Sequence, residues 1–493
     1  MDRKITLGLL LALIFAHIVL AASFAAETPY RTAGILLGQR GPDGGPDREQ
    51  DIGAPDERQH VNYISYLAEG KGFPVFNPAD PNLYESYQSH QPPAFYVLST
   101  AWSKALGLSD LTTQDAGLKL RALNVVIGSI TVAGVFFLLF WGFESEGIAL
   151  VGTAFAALLP MFAALSGAVS NDPLLFCLIT WVLALLTLAT KQGWTWKLAI
   201  GVGVLTGLAL LTKTTALSLL PIILLALLLK SSKKPSLAMI GASAALALML
   251  VAPWWARNQN LYHDPLAIQA FSNAFKGSAQ KETIIKNAIL LPQPDANGEL
   301  TYWKDWVGWW TARSFFGAFG YMDIWLNERG TSGTGPNSPN ALYRLLLAAT
   351  FLCAVGWAAS TRQSDFKQKL PSHILNGTFF LVVLLLFIRF NNQYFQAQAR
   401  YLLPAIGAIS GAFAIGIFEL FKRRTYVALG VVIFVLGGID AYALSRLPSE
   451  FQKRTGEMIP SAMRNPEPQR TIGFRVASMD GLPSSSSERP RQG

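Results

Sequence analysis

Apolar runs long enough to cross a bilayer as helices, which takes about 20 residues, alternate along the chain with short polar breaks. This pattern predicts spans at 5–25, 119–141, 147–168, 173–190, 196–211, 214–230, 236–252, 341–360, 373–390, 402–420 and 425–443. The chain therefore reads as an all-α polytopic membrane protein with about 11 transmembrane helices. The first run also fits a cleaved signal peptide, with the Ala-rich stretch Leu20 to Ala26 as the cleavage site. A retained span is expected, because further spans follow. The run after Pro92-Pro93 is short and broken by polar residues, and reads as an interfacial or re-entrant helix.

Two polar stretches interrupt the runs. The first, 27–108, has a helical pattern from Asp56 to Glu69, with Pro55 near its start and Gly70 ending it. Val61, Ile64 and Leu67 form an apolar stripe suited to lying on a membrane surface, and Asp56 and His60, four residues apart, share a face. The second stretch, 253–340, is polar and aromatic. The expected organisation is a transmembrane domain over 1–443, with 27–108 and 253–340 as its large external loops. An external, disordered tail over 444–493 completes the chain, its end rich in Ser and Pro.

Composition agrees with a membrane protein. Of 493 residues, 51% are hydrophobic and 14% charged, and mean hydropathy is +0.32; soluble domains carry about 25% charged residues. The formal charge of +9 raises nucleic-acid binding, but the basic residues sit in short clusters between apolar runs. Arg3 and Lys4, Lys191 and Lys197, Lys230 to Lys234, Arg362 to Lys369 and Lys422 to Arg424 all fall on one side, as the positive-inside rule requires of cytoplasmic loops. Gly142–Gly147 is an acidic exception. Nucleic acid is therefore not an expected partner. Five polar connections, two long loops among them, fall on the other, external face: 27–96, the Asn171-Asp172 turn, the Lys213 turn, 253–340 and 389–401. Cys177 and Cys353 lie inside apolar runs and imply no disulfide, and no Cys/His spacing suggests a metal site.

The candidate chemistry sits on that face. Asp56 and Glu57 are the catalytic candidates, since a carboxylate at the membrane edge could act as a general base, although acidic residues at a helix start also serve its dipole. Asp172, in Asn171-Asp172-Pro173, has no basic neighbour in sequence and is either an ordinary helix start or a functional group. Lys213 runs against the charge bias; it could hold a phosphate oxygen or snorkel to headgroups. Arg257, after Trp254-Trp255, and Arg400, before Tyr401, could join it and Arg389 around an anion. His90 and Gln91 precede Pro92-Pro93, and His60 and Tyr63 follow Asp56. The tryptophans at 303, 306, 309 and 310, with Phe315 and Phe316, suit an interfacial bed or a sugar platform.

Taken together, Pro55-Asp56-Glu57 with His60 and Tyr63, His90-Gln91-Pro92-Pro93-Ala94-Phe95-Tyr96, Ser170-Asn171-Asp172-Pro173, Leu211-Thr212-Lys213, Pro253-Trp254-Trp255 with Arg257, and Gln398-Ala399-Arg400-Tyr401 resemble the GT-C superfamily of polytopic glycosyltransferases. The protein O-mannosyltransferase and lipid A aminoarabinose transferase branch is the nearest. The resemblance implies inverting transfer of a sugar from a polyprenyl-phosphate donor to a glycan, lipid or protein acceptor, at the outer face of the cytoplasmic membrane. It implies Asp56 as the base, Asp172 as the second external acidic position, and Lys213 and Arg257 balancing the leaving phosphate. His90-Gln91 stands where the aminoarabinose branch tends to carry a Glu-Lys pair, which argues against assigning that sugar. The soluble C-terminal domain of the metal-using oligosaccharyltransferases has no counterpart, so no divalent metal or other cofactor is expected. The alternative is a transporter or flippase of lipid-linked sugars, for which a convincing inverted repeat is missing from the sequence.

Overall fold

The computed structural model describes residues 2–36, 49–276, 280–286, 298–326 and 341–455. Helices dominate it, and the strands among the described residues form two short antiparallel pairs, Ala33–Ile35 with Glu49–Asp51 and Ala318–Phe319 with Ile324–Trp325. Among the described residues, eight helices are long and apolar enough to cross a membrane: Arg3–Glu27, Gln114–Phe143, Asp172–Gln192, Leu237–Tyr262, Ala341–Ser360, Phe366–Gln393, Leu403–Leu420 and Thr425–Arg454. A ninth apolar segment, Glu146–Ala157 with Pro160–Ser166, bends by 62° where Pro160 lacks the N–H that would continue the ladder. Trp196–Leu210 and Thr214–Leu228 are shorter apolar helices. These segments fall on the runs read from the sequence, so the chain is an all-α, multi-pass membrane protein.

Local chemistry sets where the helices begin. Thr113, Ser145, Thr195 and Ser236 each accept a backbone N–H of the first turn through the side-chain oxygen, satisfying a donor that the helix leaves unpaired. Inside the bundle, small residues allow close approach: a Cβ on Gly203 or Gly207 would press into Ser243 or Ala247 of the neighbouring helix. The acidic break at Gly142–Gly147 is answered by partners, since Lys191 lies 3.0 Å from Glu144 and Thr6 donates to Glu146 at 2.9 Å.

Two boundaries differ from the sequence reading. The last helix continues past 443 to Arg454, where Leu447 and Phe451 join the core and Arg454 donates to buried Asp323 at 2.7 Å. The first part of the expected tail is thus helix, and 456–493 lie outside the described residues. The helix after Asp56 runs Glu57–Ala68, and its stripe faces protein: Val61 and Ile64 pack with Tyr30, Phe95, Tyr96, Leu111 and Val169. The Ala94–Ala105 helix supplies Phe95 and Tyr96 and is not one of the candidate spans. A partner surface that nearly excludes water competes better for these side chains than a half-wet interface.

One ion pair anchors this layer. Arg121, fully buried in the Gln114–Phe143 helix, donates to both oxygens of Glu57 at 2.8 and 2.6 Å, and to the carbonyls of Ala25 and Thr28 at 2.6 and 2.7 Å. Glu57 also accepts the Val169 N–H at 2.8 Å. Glu57, expected to be catalytic, is therefore a structural anchor, with both carboxylate oxygens engaged. Removing one partner strands a buried charge, so Arg121→Met should destabilise the fold by about 3–5 kcal/mol. The thermal midpoint of the detergent-purified variant would fall sharply; an unshifted midpoint would contradict the anchoring role.

Candidate functional site

The anchor fixes the position of the residue before it. Asp56 precedes the helix with φ +64, in the left-handed region, and its side chain makes no cap hydrogen bond. Asp tolerates that conformation better than most residues, though at some cost. Its carboxylate turns away from the helix and accepts hydrogen bonds from the Tyr87 hydroxyl and from Arg400, the latter at 2.6 Å. Arg400 sits in the 3₁₀ turn Ala399–Tyr401, just before the Leu403–Leu420 span.

A second pair lies beside the first. Asp172 opens its helix behind Asn171 and accepts from Lys213 at 2.6 Å. Asn171 donates to the Gln91 side chain at 3.3 Å and to the Thr212 carbonyl at 3.2 Å, while the Ala94 N–H donates to Leu211 O at 2.8 Å. Three separated motifs thus meet through hydrogen bonds. Together with 266–275 and 396–404 they enclose a cavity of about 330 Å³, lined by Asp56, His60, His90, Gln91, Asp172, Lys213 and Arg400. Its other wall is apolar: Leu175, Phe271, Phe275, Phe387 and Phe390. Ile268 and Leu386 line it and are also exposed, so it opens sideways between 266–275 and the Phe366–Gln393 helix.

The electrostatics are set by burial and pairing. Burial pushes the Asp56 carboxyl up, but the Arg400 guanidinium, the Tyr87 hydroxyl and the other groups around it outweigh that and hold it below the usual carboxylate range. Burial lowers His60 to about 3, and it shares a 2.9 Å hydrogen bond with the Tyr96 hydroxyl. Burial likewise lowers His90 to about 4. His90 Nδ1 lies 2.6 Å from the Tyr87 carbonyl, which can only accept, so Nδ1 carries the hydrogen and Nε2 is the acceptor. Both histidines are neutral at pH 7, leaving Lys213 and Arg400 as the cations that line the cavity among the described residues.

Four expected site residues lie elsewhere. Glu57 is bound to Arg121, as above. Tyr63 is buried with its ring stacked on Tyr96 at 3.8 Å between centroids. Arg257 lies over Trp254 and donates to the carbonyls of Phe73 and Pro74 at 3.3 and 2.8 Å; it braces the first polar loop and does not line the cavity. Arg389 is exposed and also does not line it. Most of the aromatic 301–321 segment is packing, with Trp306 and Trp310 against Phe395 and Phe315 against Phe413; Tyr321 is its member on the cavity wall. Tyr87, on Asp56, and Phe387 and Phe390, three apart on one face of a span, are site residues that the sequence reading did not single out. The i, i+3 spacing is the one signal that pointed to the phenylalanines, and core packing gives the same signal.

Residues 98–256 match the family model described as dolichyl-phosphate-mannose-protein mannosyltransferase. That segment contains Asp172 and Lys213 but neither Asp56 nor Arg400. No curated protein matches the chain in sequence. Among solved structures, the Archaeoglobus fulgidus oligosaccharyltransferase tethered to an acceptor peptide superposes with a TM-score of 0.53 at 14% identity, over 91% of this chain and 55% of that one. Its apo form gives 0.50 at 15% identity, over 88% and 56%. ArnT from Cupriavidus metallidurans bound to undecaprenyl phosphate gives 0.41 at 12% identity, over 90% and 70%. The chain spans about half the length of the oligosaccharyltransferase. At these identities the likeness is one of fold.

Proposed function

We propose that this chain, a member of the GT-C superfamily of membrane glycosyltransferases, moves a sugar from a polyprenyl-phosphate donor to an acceptor hydroxyl or amine. The reaction takes place at the outer face of the cytoplasmic membrane, toward the periplasm or exterior, with inversion at the anomeric carbon. The observation that carries this reading is the cavity itself, in which one carboxylate–guanidinium pair and one carboxylate–ammonium pair face an apolar wall that opens sideways. An amphiphile with an anionic centre and a long hydrocarbon tail fits both halves.

In the chemical step, Asp56 takes the acceptor proton as the acceptor atom bonds to the anomeric carbon. The bond from that carbon to the phosphate oxygen breaks, and polyprenyl phosphate leaves with the added negative charge. Arg400 and Lys213 meet that charge. Each cation is matched by a carboxylate, so an arriving phosphate competes with Asp56 for Arg400. Loosening the Asp56–Arg400 pair raises the basicity of Asp56 once donor is bound, which protects the base until it is needed. In this reading Lys213 and Arg400, not a divalent metal, face the leaving phosphate.

Incubating the full chain in proteoliposomes with a panel of radiolabelled polyprenyl-phosphate sugars and candidate glycan, lipid and protein acceptors tests the reading. One member should yield free polyprenyl phosphate and labelled acceptor. Passage of intact donor across the bilayer with no bond broken would favour the flippase alternative. The two basic candidates also separate. Lys213→Ala should weaken donor binding by roughly tenfold or more, the loss of one charge-assisted contact, whereas Arg257→Ala should leave it within about twofold. Equal effects in a donor-binding titration would contradict this assignment.

A further inference from the structure

We infer a second lipid site, at the end of the bundle away from the Asp56 cavity, which holds an anionic phospholipid of the surrounding leaflet. Between Trp196–Leu210, Leu219–Leu228 and Leu237–Tyr262 lies a cavity of about 310 Å³. Its walls include Val202, Leu220, Leu224, Leu227, Met239 and Ala244. The slot exists because Gly203 and Gly207 draw the first and third helices together at Ser243 and Ala247, while bulky leucines hold the middle helix off. It is some ten times the roughly 30 Å³ a water occupies in the liquid, and apolar cavities of about 150 Å³ already stay dry and take up apolar molecules.

Leu220 and Leu224 line the slot and are also exposed, so it opens to the hydrocarbon around the helices. An acyl chain is the ligand that reaches it. Charge selects the headgroup. The slot ends at Trp194 and Pro235, and the Trp194 N–H donates to the Lys233 carbonyl at 2.9 Å, which sets the 229–235 turn at its mouth. Lys234 is occupied on the last carbonyls of the middle helix, at 2.9 Å from Leu227 O and 3.2 Å from Leu228 O, and Lys191 pairs with Glu144. Lys230 and Lys233 are exposed and make no ion pair among the described residues. A phosphate held there would sit at the slot's mouth, where a headgroup belongs. The slot's mouth lies roughly 20 Å from Lys213, the length of the Trp196–Leu210 helix at about 1.5 Å per residue.

The test is native mass spectrometry of the full chain in detergent, titrated with phosphatidylglycerol or phosphatidylcholine. The wild type should retain phosphatidylglycerol preferentially. Lys230→Gln with Lys233→Gln should reduce that retention about fivefold for each lysine and leave phosphatidylcholine unchanged. Ala244→Phe, which fills the slot, should reduce both. Equal retention of the two lipids by the wild type, or wild-type retention by Ala244→Phe, would overturn the inference.

Discussion

Asp56→Asn is expected to lower turnover by about 10²–10⁴-fold, the range contributed by a positioned general base, with donor affinity largely kept. The amide oxygen can still accept from Tyr87, so the loss falls on proton transfer. Asparagine also leaves Arg400 without its counter-charge, which is destabilising for a buried cation. Turnover is therefore normalised to the monodisperse protein recovered. Asp56→Glu, which restores a carboxylate at a longer reach, should regain part of the rate. Near-normal turnover of Asp56→Asn in reconstituted vesicles would remove Asp56 from the chemistry.

Arg400→Gln should cost about 10²–10³-fold in kcat, as expected when one group that stabilises developing charge is removed, and it should also move the pH profile. In the wild type Arg400 is the leading influence that holds the Asp56 carboxyl low against burial. A base with a depressed pKa stays ionised until the medium is strongly acidic, so the acid limb of kcat/KM lies below the ordinary carboxylate range. Without Arg400 the desolvation that remains drives the pKa up, and the acid limb shifts to higher pH. A variant that loses rate with no shift of that limb would mean that Arg400 serves the phosphate alone. Faster turnover would mean that it merely restrains the base.

The cavity combines residues of unequal legibility. Asp172 and Lys213 were visible in sequence as charges that their surroundings did not explain, one in a helix-start turn and the other against the charge bias. Their pairing was not visible, because 41 residues separate them and nothing local brings them together. Asp56 and Glu57 looked equivalent as neighbouring carboxylates at a helix start. Arg121 separates them. It sits in the middle of an apolar run and engages Glu57 alone, and the left-handed turn at Asp56 points the adjacent carboxylate to the other side. Arg257 and Arg400 each followed or preceded a span on the same face. What distinguishes them is that the carbonyls of Phe73 and Pro74 reach one, while Asp56 reaches the other.

The amino-acid sequence by itself determined the helical membrane class and the order of the apolar segments. It also determined which connections share a face, because hydrophobic length and the placement of lysine and arginine are read by the bilayer segment by segment. Tertiary structure alone decided which of the polar groups on that face meet. It closed a cavity around Asp56, Asp172, Lys213 and Arg400, turned Glu57 and Tyr63 inward as packing, and set Arg257 apart. Such contacts depend on how helices hundreds of residues apart pack and on the direction of single side chains, and no local periodicity encodes either.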